Sequence, residues 1–189
     1  MILLNPADHD RFYPDAKSRE LMRKVIGFFE SRGNNQLQRD YYAHEWYAEF
    51  LDFVRREKIF ATISTPAGHG AGDSRWDTWR ICEFAEILGF YGLPYWYTWQ
   101  VSVLGLGPIW MSDNDALKSR TAELLEDGAI FAFGLSEQTH GADIYSTDMI
   151  VSPAGDGRYT ASGSKYYIGN GNKAALVSTF GKFDDSDEY

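Results

Sequence analysis

From Ile87 to Ser112 the chain contains no charged residue, and this run limits its fold more than any other feature. A run of that length could cross a bilayer core of ~30 Å as a helix. It also carries Pro94, Pro108, four glycines, Gln100 and several tyrosines, with no basic flank to mark a cytoplasmic side. It therefore reads as a buried helix of a globular protein, broken near Pro94 and again near Gly105–Pro108. No membrane span is expected. The opening Met1-Ile2-Leu3-Leu4 is too short for a signal h-region, because Asn5, Pro6 and Asp8 interrupt it.

Around this run the texture changes once. Leu21, Val25, Phe28 and Phe29 form one apolar stripe after Pro14-Asp15, and Gly33-Asn34-Asn35 ends it. A second helix carries Tyr47, Phe50, Leu51 and Val54. Ile59–Ile63 reads as a short extended stretch leading into a Pro66–Gly72 loop. Ser74 with Asp77 resembles a capping box for the next helix, expected to stop near Gly89. A last helix runs from about Ser112-Asp113, with Leu117, Leu124 and Leu125, to Gly128. From Ala129 the pattern becomes short β-type runs: Ile130–Ser136, Ile144–Ser152, Arg158–Ala161, Tyr166–Ile168 and Ala174–Gly181. Gly155-Asp156-Gly157 between two of them signals a hairpin.

The order is thus α+β: an all-helical N-terminal domain over residues 1–128, then an incomplete antiparallel β-barrel or sandwich-like domain over 129–189. The acidic tail Asp184–Glu188 reads either as a solvated end or as a loop cut mid-course.

Composition narrows the function classes. Six Trp, twelve Tyr and twelve Phe in 189 residues exclude a disordered chain. Eighteen Lys and Arg against 27 Asp and Glu, a net charge of −9, exclude a nucleic-acid partner. A single cysteine, Cys82, cannot form an internal disulfide or a cysteine zinc cluster and points to a reducing compartment. The expected location is the cytoplasm, or the mitochondrial or peroxisomal matrix in a eukaryote.

Local motifs alone assign no chemistry. Gly68-His69-Gly70-Ala71-Gly72 lacks the Lys-Ser/Thr of a P-loop. His9, His44, His69 and His140 show no ligand spacing, so no metal is expected. Ser136 sits in no nucleophile elbow.

Two stretches after the junction carry a resemblance. Phe131–Asp143 (FAFGLSEQTHGAD) resembles the first signature of acyl-CoA dehydrogenases, an aromatic-x-hydrophobic-Thr/Ser-Glu-Pro strand end followed by Gly-x-Gly-Ser-Asp. Gly155–Gly171 (GDGRYTASGSKYYIGNG) is similar to their second signature, a Gly-Asp turn, a strand, Asn-Gly-x-Lys, aromatic-Ile-Thr and Asn-Gly. Gly105–Gly128 and Pro66–Gly72 occupy the places of the family's preceding helices and glycine loop.

The resemblance implies an FAD enzyme oxidising the Cα–Cβ bond of an acyl-CoA thioester in fatty acid metabolism, with an electron-transfer flavoprotein or similar acceptor as partner. It implies a homo-oligomer when full length. Phe133, Leu135, Ser136, Tyr167, Ile168 and Gly169 become cofactor contacts, and Ala142 the substrate contact. Ser136 keeps the hydroxyl donor of the commoner Thr, and Tyr167 replaces a Trp that packs on the flavin.

The departures are Gln138 for Pro, Thr139-His140 for small residues, Ala142 for Ser, and Gly169 for a Thr that reaches flavin N5. The Gly and the His-Gly pair also resemble acyl-CoA oxidases, which pass electrons to O2. Family members are about twice as long and supply the catalytic glutamate from a C-terminal helical bundle. No glutamate here is therefore assigned as base. Glu137 reads as a structural hydrogen-bond acceptor, and a truncated, non-catalytic flavoprotein fragment or interaction module stands as a third reading.

Overall fold

The computed structural model describes residues 5–8 and 12–183. The expectations on Met1–Leu4, His9 and Asp184–Glu188 lie outside the described residues. Seven α-helices are followed by five short strands among those described. The helices are α1 (Ala16–Arg32), α2 (Asn34–Tyr42), α3 (Ala48–Arg56), α4 (Ile59–Ser64), α5 (Thr78–Tyr91), α6 (Leu93–Met111) and α7 (Asp115–Glu126). The strands are β1 (Phe131–Gly134), β2 (Ile150–Gly155), β3 (Arg158–Ser162), β4 (Leu176–Thr179) and β5 (Lys182–Phe183). The α+β order matches the sequence. Two compact units emerge, Met1–Gln100 with Ser112–Ala129 and Val101–Met111 with Ile130–Tyr189. The strands thus take the second half of α6 with them, beyond the sequence boundary at 128/129.

The helical unit is built on aromatic packing. Phe29 stacks on Tyr91 at 4.7 Å and on Phe50 at 5.7 Å, while Phe84 meets Trp99 edge-on at 4.9 Å. Asp15 caps α1 by accepting from the Ser18 N–H at 2.7 Å, and Gly33, at φ 73°, ends it. Arg80 of α5 is fully buried yet charged. Its Nε donates to Ser18 Oγ at 2.9 Å, its Nη1 to the Asp73 carbonyl at 2.8 Å, and its Nη2 to the Asp73 carboxylate. That network ties the start of α5 to the start of α1.

Several local expectations are corrected here. Ile59–Ile63 is helical, not extended: every residue of α4 is buried, so no polar face exists to reveal the helical period. Lys58, at φ 55°, separates α4 from α3, and Thr62 Oγ1 bonds back to its carbonyl at 2.7 Å. The cap of α5 is Asp77, which accepts from the Arg80 N–H at 2.9 Å, whereas the Ser74 hydroxyl is spent on the Ala71 carbonyl. The helix passes Gly89 and stops at Gly92.

The uncharged run breaks at Gly92, two residues before Pro94, where α5 ends and α6 begins, but α6 then runs unbroken through Gly105–Pro108, where the sequence suggests a second break. Pro94 sits in its first turn, where the missing N–H has no intrahelical acceptor anyway. Pro108 falls in the last turn, where it has no N–H to give to the Leu104 carbonyl, yet the helix continues to Met111. No described helix is long and apolar enough to cross a membrane.

In the second unit, β1 pairs with β4 in parallel, Phe131 opposite Leu176 and Gly134 opposite Thr179. A second sheet has the order β3-β2-β5, with β2–β3 antiparallel and β2–β5 parallel. No closed barrel forms among the described residues, and the antiparallel expectation holds for the β2–β3 hairpin but not for the two parallel pairs. Its turn residues Gly155, Asp156 and Gly157 all have positive φ.

The carboxyl-terminal half of α6 backs onto β1. A Cβ on Gly105 would sit 2.8–2.9 Å from the backbone C and N of Ala132, so only glycine admits the strand here. The Ser102 hydroxyl accepts from the Phe131 N–H at 3.2 Å, and Ser178 Oγ donates to the Gly105 carbonyl at 2.6 Å.

Candidate functional site

The end of β1 and the segment after β3 run side by side. The Ser136 carbonyl accepts the Tyr166 N–H at 2.8 Å, and the Gly134 carbonyl accepts the Phe180 N–H at 3.0 Å. Asn170, at φ 60° and buried, donates from Nδ2 to the Phe131 carbonyl at 3.0 Å. This anchors the turn below the site.

Glu137 and Lys165 hold the segments together. Lys165 Nζ donates to Glu137 Oε1 at 2.7 Å, to the Leu135 carbonyl at 3.1 Å and to Thr147 Oγ1 at 3.0 Å. The second Glu137 oxygen accepts the Asp148 N–H at 2.7 Å, and Oε1 also accepts the Met149 N–H at 3.2 Å. Burial works to raise the Glu137 pKa, but the Lys165, Thr147 and Asp148 hydrogen bonds outweigh it and hold the carboxyl at about 2.

Glu137 is thus the structural acceptor that its sequence context suggests. Because its carboxylate takes backbone N–H groups at 148 and 149, the expected strand Ile144–Ser152 is replaced by a 3-10 turn at Ile144–Ser146 and begins only at Ile150.

The expected strand Tyr166–Ile168 is also absent. Tyr167 adopts φ 57°, the left-handed region that aromatic residues rarely occupy. Its ring is 84% exposed and lies 4.2 Å from that of Tyr166, centroid to centroid. Lys165, committed to Glu137, pins the chain just before it. An aromatic side chain is therefore displayed to solvent by a strained backbone.

The other expected cofactor residues divide. Ser136 is exposed, and its hydroxyl makes no hydrogen bond with a described residue. Phe133 and Leu135 are half-buried at the end of β1, and Ile168 and Gly169 are half-buried beyond Tyr167. Ala142, the expected substrate contact, is exposed on the following loop. A cavity of about 190 Å³ is lined by Leu135, Ser136, Glu137, His140, Ile144 and Thr147, among others. Phe133, Ala142, Tyr167, Ile168 and Gly169 do not line it.

His140 closes one side of this cavity. Its Nδ1 lies 2.9 Å from Asp143 Oδ2 and its Nε2 3.4 Å from Asp148 Oδ2. The Asp143 hydrogen bond, with help from Asp148, raises the imidazole pKa, and Asp143 is lowered in return. Ligand atoms of Glu137, His140 and Asp148 fall within 4.8 Å of one another. The Glu137 oxygens are already filled by Lys165 and backbone donors, which opposes a metal there. Lys165 stands at the Lys of the second signature, and its part in clamping Glu137 emerges only from the fold.

Comparison with known proteins agrees with this architecture. No family model matches the chain. Over 119 residues, 62% of this chain, it is 33% identical to the short-chain-specific acyl-CoA dehydrogenase of Megasphaera elsdenii. The structure of butyryl-CoA dehydrogenase from the same organism superposes with a TM-score of 0.78 over 93% of this chain at 23% identity. Glutaryl-CoA dehydrogenase of Mycobacterium smegmatis, in complex with FADH2, gives a TM-score of 0.72 over 96% of this chain at 19% identity.

The chain spans 31% of the length of the curated relative and 46–47% of these two structures. Over the matched part the fold is therefore that of acyl-CoA dehydrogenases, and over 119 residues the sequence is similar to one of them.

Proposed function

We propose that the chain forms the helical domain, residues 1–128, and part of the middle β domain, residues 129–189, of an FAD-dependent acyl-CoA dehydrogenase. The carrying observation is Tyr167, an aromatic ring displayed to solvent from a left-handed backbone that Lys165 and Asn170 fix on either side. A strained and exposed ring suits stacking against a flat partner, and the partnerless Ser136 hydroxyl is a donor for the oxygen-bearing edge of such a ring system. Those two features fit a flavin.

FAD, when bound, supplies the acceptor for a hydride from the β-carbon of the thioester. The chain's own part is to hold and orient. Ser136 and neighbouring N–H groups provide fixed donors where negative charge accumulates, and Phe133, Leu135, Ile168 and Gly169 shape the contact. Ala142 borders the acyl-CoA side with backbone donors alone. No described residue is proposed as the base that takes the α-proton. An electron-transfer flavoprotein is the proposed acceptor, and a homo-oligomer the proposed working form.

A second reading, electron transfer to O2, is favoured by one observation: position 169, two residues after Tyr167, is a glycine and carries no side chain. A full-length protein carrying this chain, loaded with FAD and mixed anaerobically with butyryl-CoA, is expected to lose its flavin absorbance as enoyl-CoA forms. Flavin that binds but stays oxidised across a series of acyl-CoAs overturns the dehydrogenase while leaving flavin binding standing. Stoichiometric peroxide without any dye acceptor favours the oxidase.

A further inference from the structure

We propose that the helical unit carries a second binding site, independent of the flavin reading, for a small organic cation bearing a methylated ammonium group. A cavity of about 460 Å³ lies between α2, the loop after it, and the α5–α6 turn. That volume is in the range of small-molecule sites, roughly 300–1,000 Å³. Tyr41, Tyr42, Tyr47 and Tyr95 line it, together with Phe90 and Tyr91. No Lys, Arg or His is among the lining residues, whereas Asp40 and Glu45 are.

The two carboxylates differ. Asp40 is occupied by Arg32 at 2.7 Å and by the Gln36 amide at 2.5 Å. Glu45 is exposed, and its carboxylate has no hydrogen bond or ion pair with a described residue. The lining thus combines six aromatic side chains with one unspent negative charge.

Several rings are held before any ligand arrives. The Tyr47 hydroxyl accepts from Thr98 Oγ1, the Tyr91 hydroxyl donates to Glu30 at 2.5 Å, and Tyr47 stacks on Trp46 at 4.2 Å. Tyr41 and Tyr42, 58% and 78% exposed, stand at the mouth as an edge-to-face pair 5.4 Å apart. Aromatic side chains gathered beside an unspent carboxylate are the recognition chemistry of quaternary ammonium ligands. An anion is disfavoured by the charge. A metal ion is disfavoured because one free carboxylate cannot complete its shell.

The test is titration of the 189-residue chain with choline and with its neutral carbon isostere dimethylbutanol, read by calorimetry and by Trp46-sensitive fluorescence. Choline is expected to bind saturably with a Kd in the millimolar range, and dimethylbutanol about tenfold more weakly or worse. Tyr42→Ala and Glu45→Gln should each weaken choline about threefold to tenfold, while Tyr42→Phe retains it. Both positions are exposed, and circular dichroism checks that the variants fold. Absence of saturation, equal affinity for the neutral isostere, or unchanged affinity in both weakening variants overturns the proposal. A trimethyl-lysine peptide binding no tighter than choline supports a free small ligand. A peptide bound about tenfold tighter overturns that assignment.

Discussion

Lys165 reaches across to Glu137 at 2.7 Å, and both side chains are more than nine-tenths buried, with three further donors closing on the same carboxylate. Removing one partner strands the other as a buried charge, which costs about 3–5 kcal/mol. Lys165→Met is therefore expected to lower the urea midpoint of the chain strongly near neutral pH, and Glu137→Gln to do so as well. A double variant that loses no more than either single one, measured in a mutant cycle, shows that the pair acts as a unit.

The same carboxyl gives a pH signature. Its folded pKa of about 2 lies below the ordinary value of 4.5, so its contribution to stability is complete above that ordinary value. It is lost as pH falls through the interval from 4.5 to about 2. Urea midpoints taken across that interval should fall more steeply for the parent chain than for Glu137→Gln.

Gly105 of α6 and Gly27 of α1 should respond oppositely to alanine. At Gly105 the new methyl meets the backbone of Ala132, which cannot move without displacing β1. At Gly27, exposed in the middle of α1, nothing lies within 4 Å, so the helix propensity of alanine acts alone, worth about 0.8–1 kcal/mol. Thermal melts are expected to show Gly105→Ala falling and Gly27→Ala rising. The same sign for both would contradict the packing of α6 on β1.

Arg80 is the other buried charge with a full set of partners. Arg80→Met removes the donor that joins Asp73 to Ser18, while Asp73 keeps Arg75 and the Ser18 hydroxyl keeps Asp15, and a loss of about 1.5–3 kcal/mol is expected in urea titration. Asp15 stands closer to solvent. It resists protonation because the Ser18 N–H and Arg75 hydrogen bonds outweigh what burial it has. Asp15→Ala is expected to cost less, about 1–2 kcal/mol, chiefly as a lost helix cap.

How much of this was legible in sequence depended on whether a pattern was local. The stripe Leu21–Val25–Phe28–Phe29 announced α1, and Gly155-Asp156-Gly157 announced the β2–β3 hairpin, because periodicity and positive φ are written in adjacent residues. The α4 helix was misread because burial on all sides erases the period. Tyr166–Ile168 looked like a strand because β-type residues cluster there. The turn is imposed by Lys165 and Asn170 binding to β1 and Glu137, contacts many residues away in the chain.

The residues expected to face a flavin come from the two signature stretches, and their surroundings follow from the structure: Ser136 open and unpartnered, Tyr167 displayed, Glu137 spent on structure. Nothing in the sequence marked the tyrosine-lined cavity, since its lining residues come from two separate helical corners.

The central claim is that the displayed Tyr167 and the open Ser136 hydroxyl form part of a flavin surface. FAD titration of the 189-residue chain, followed by flavin absorbance and fluorescence, tests it most directly. Saturable, weak binding is expected, reduced about threefold to tenfold by Tyr167→Gly, which removes the ring while relaxing the backbone, and less by Ser136→Ala. A flavin spectrum unperturbed at every concentration, or an affinity unchanged in both variants, would contradict the account.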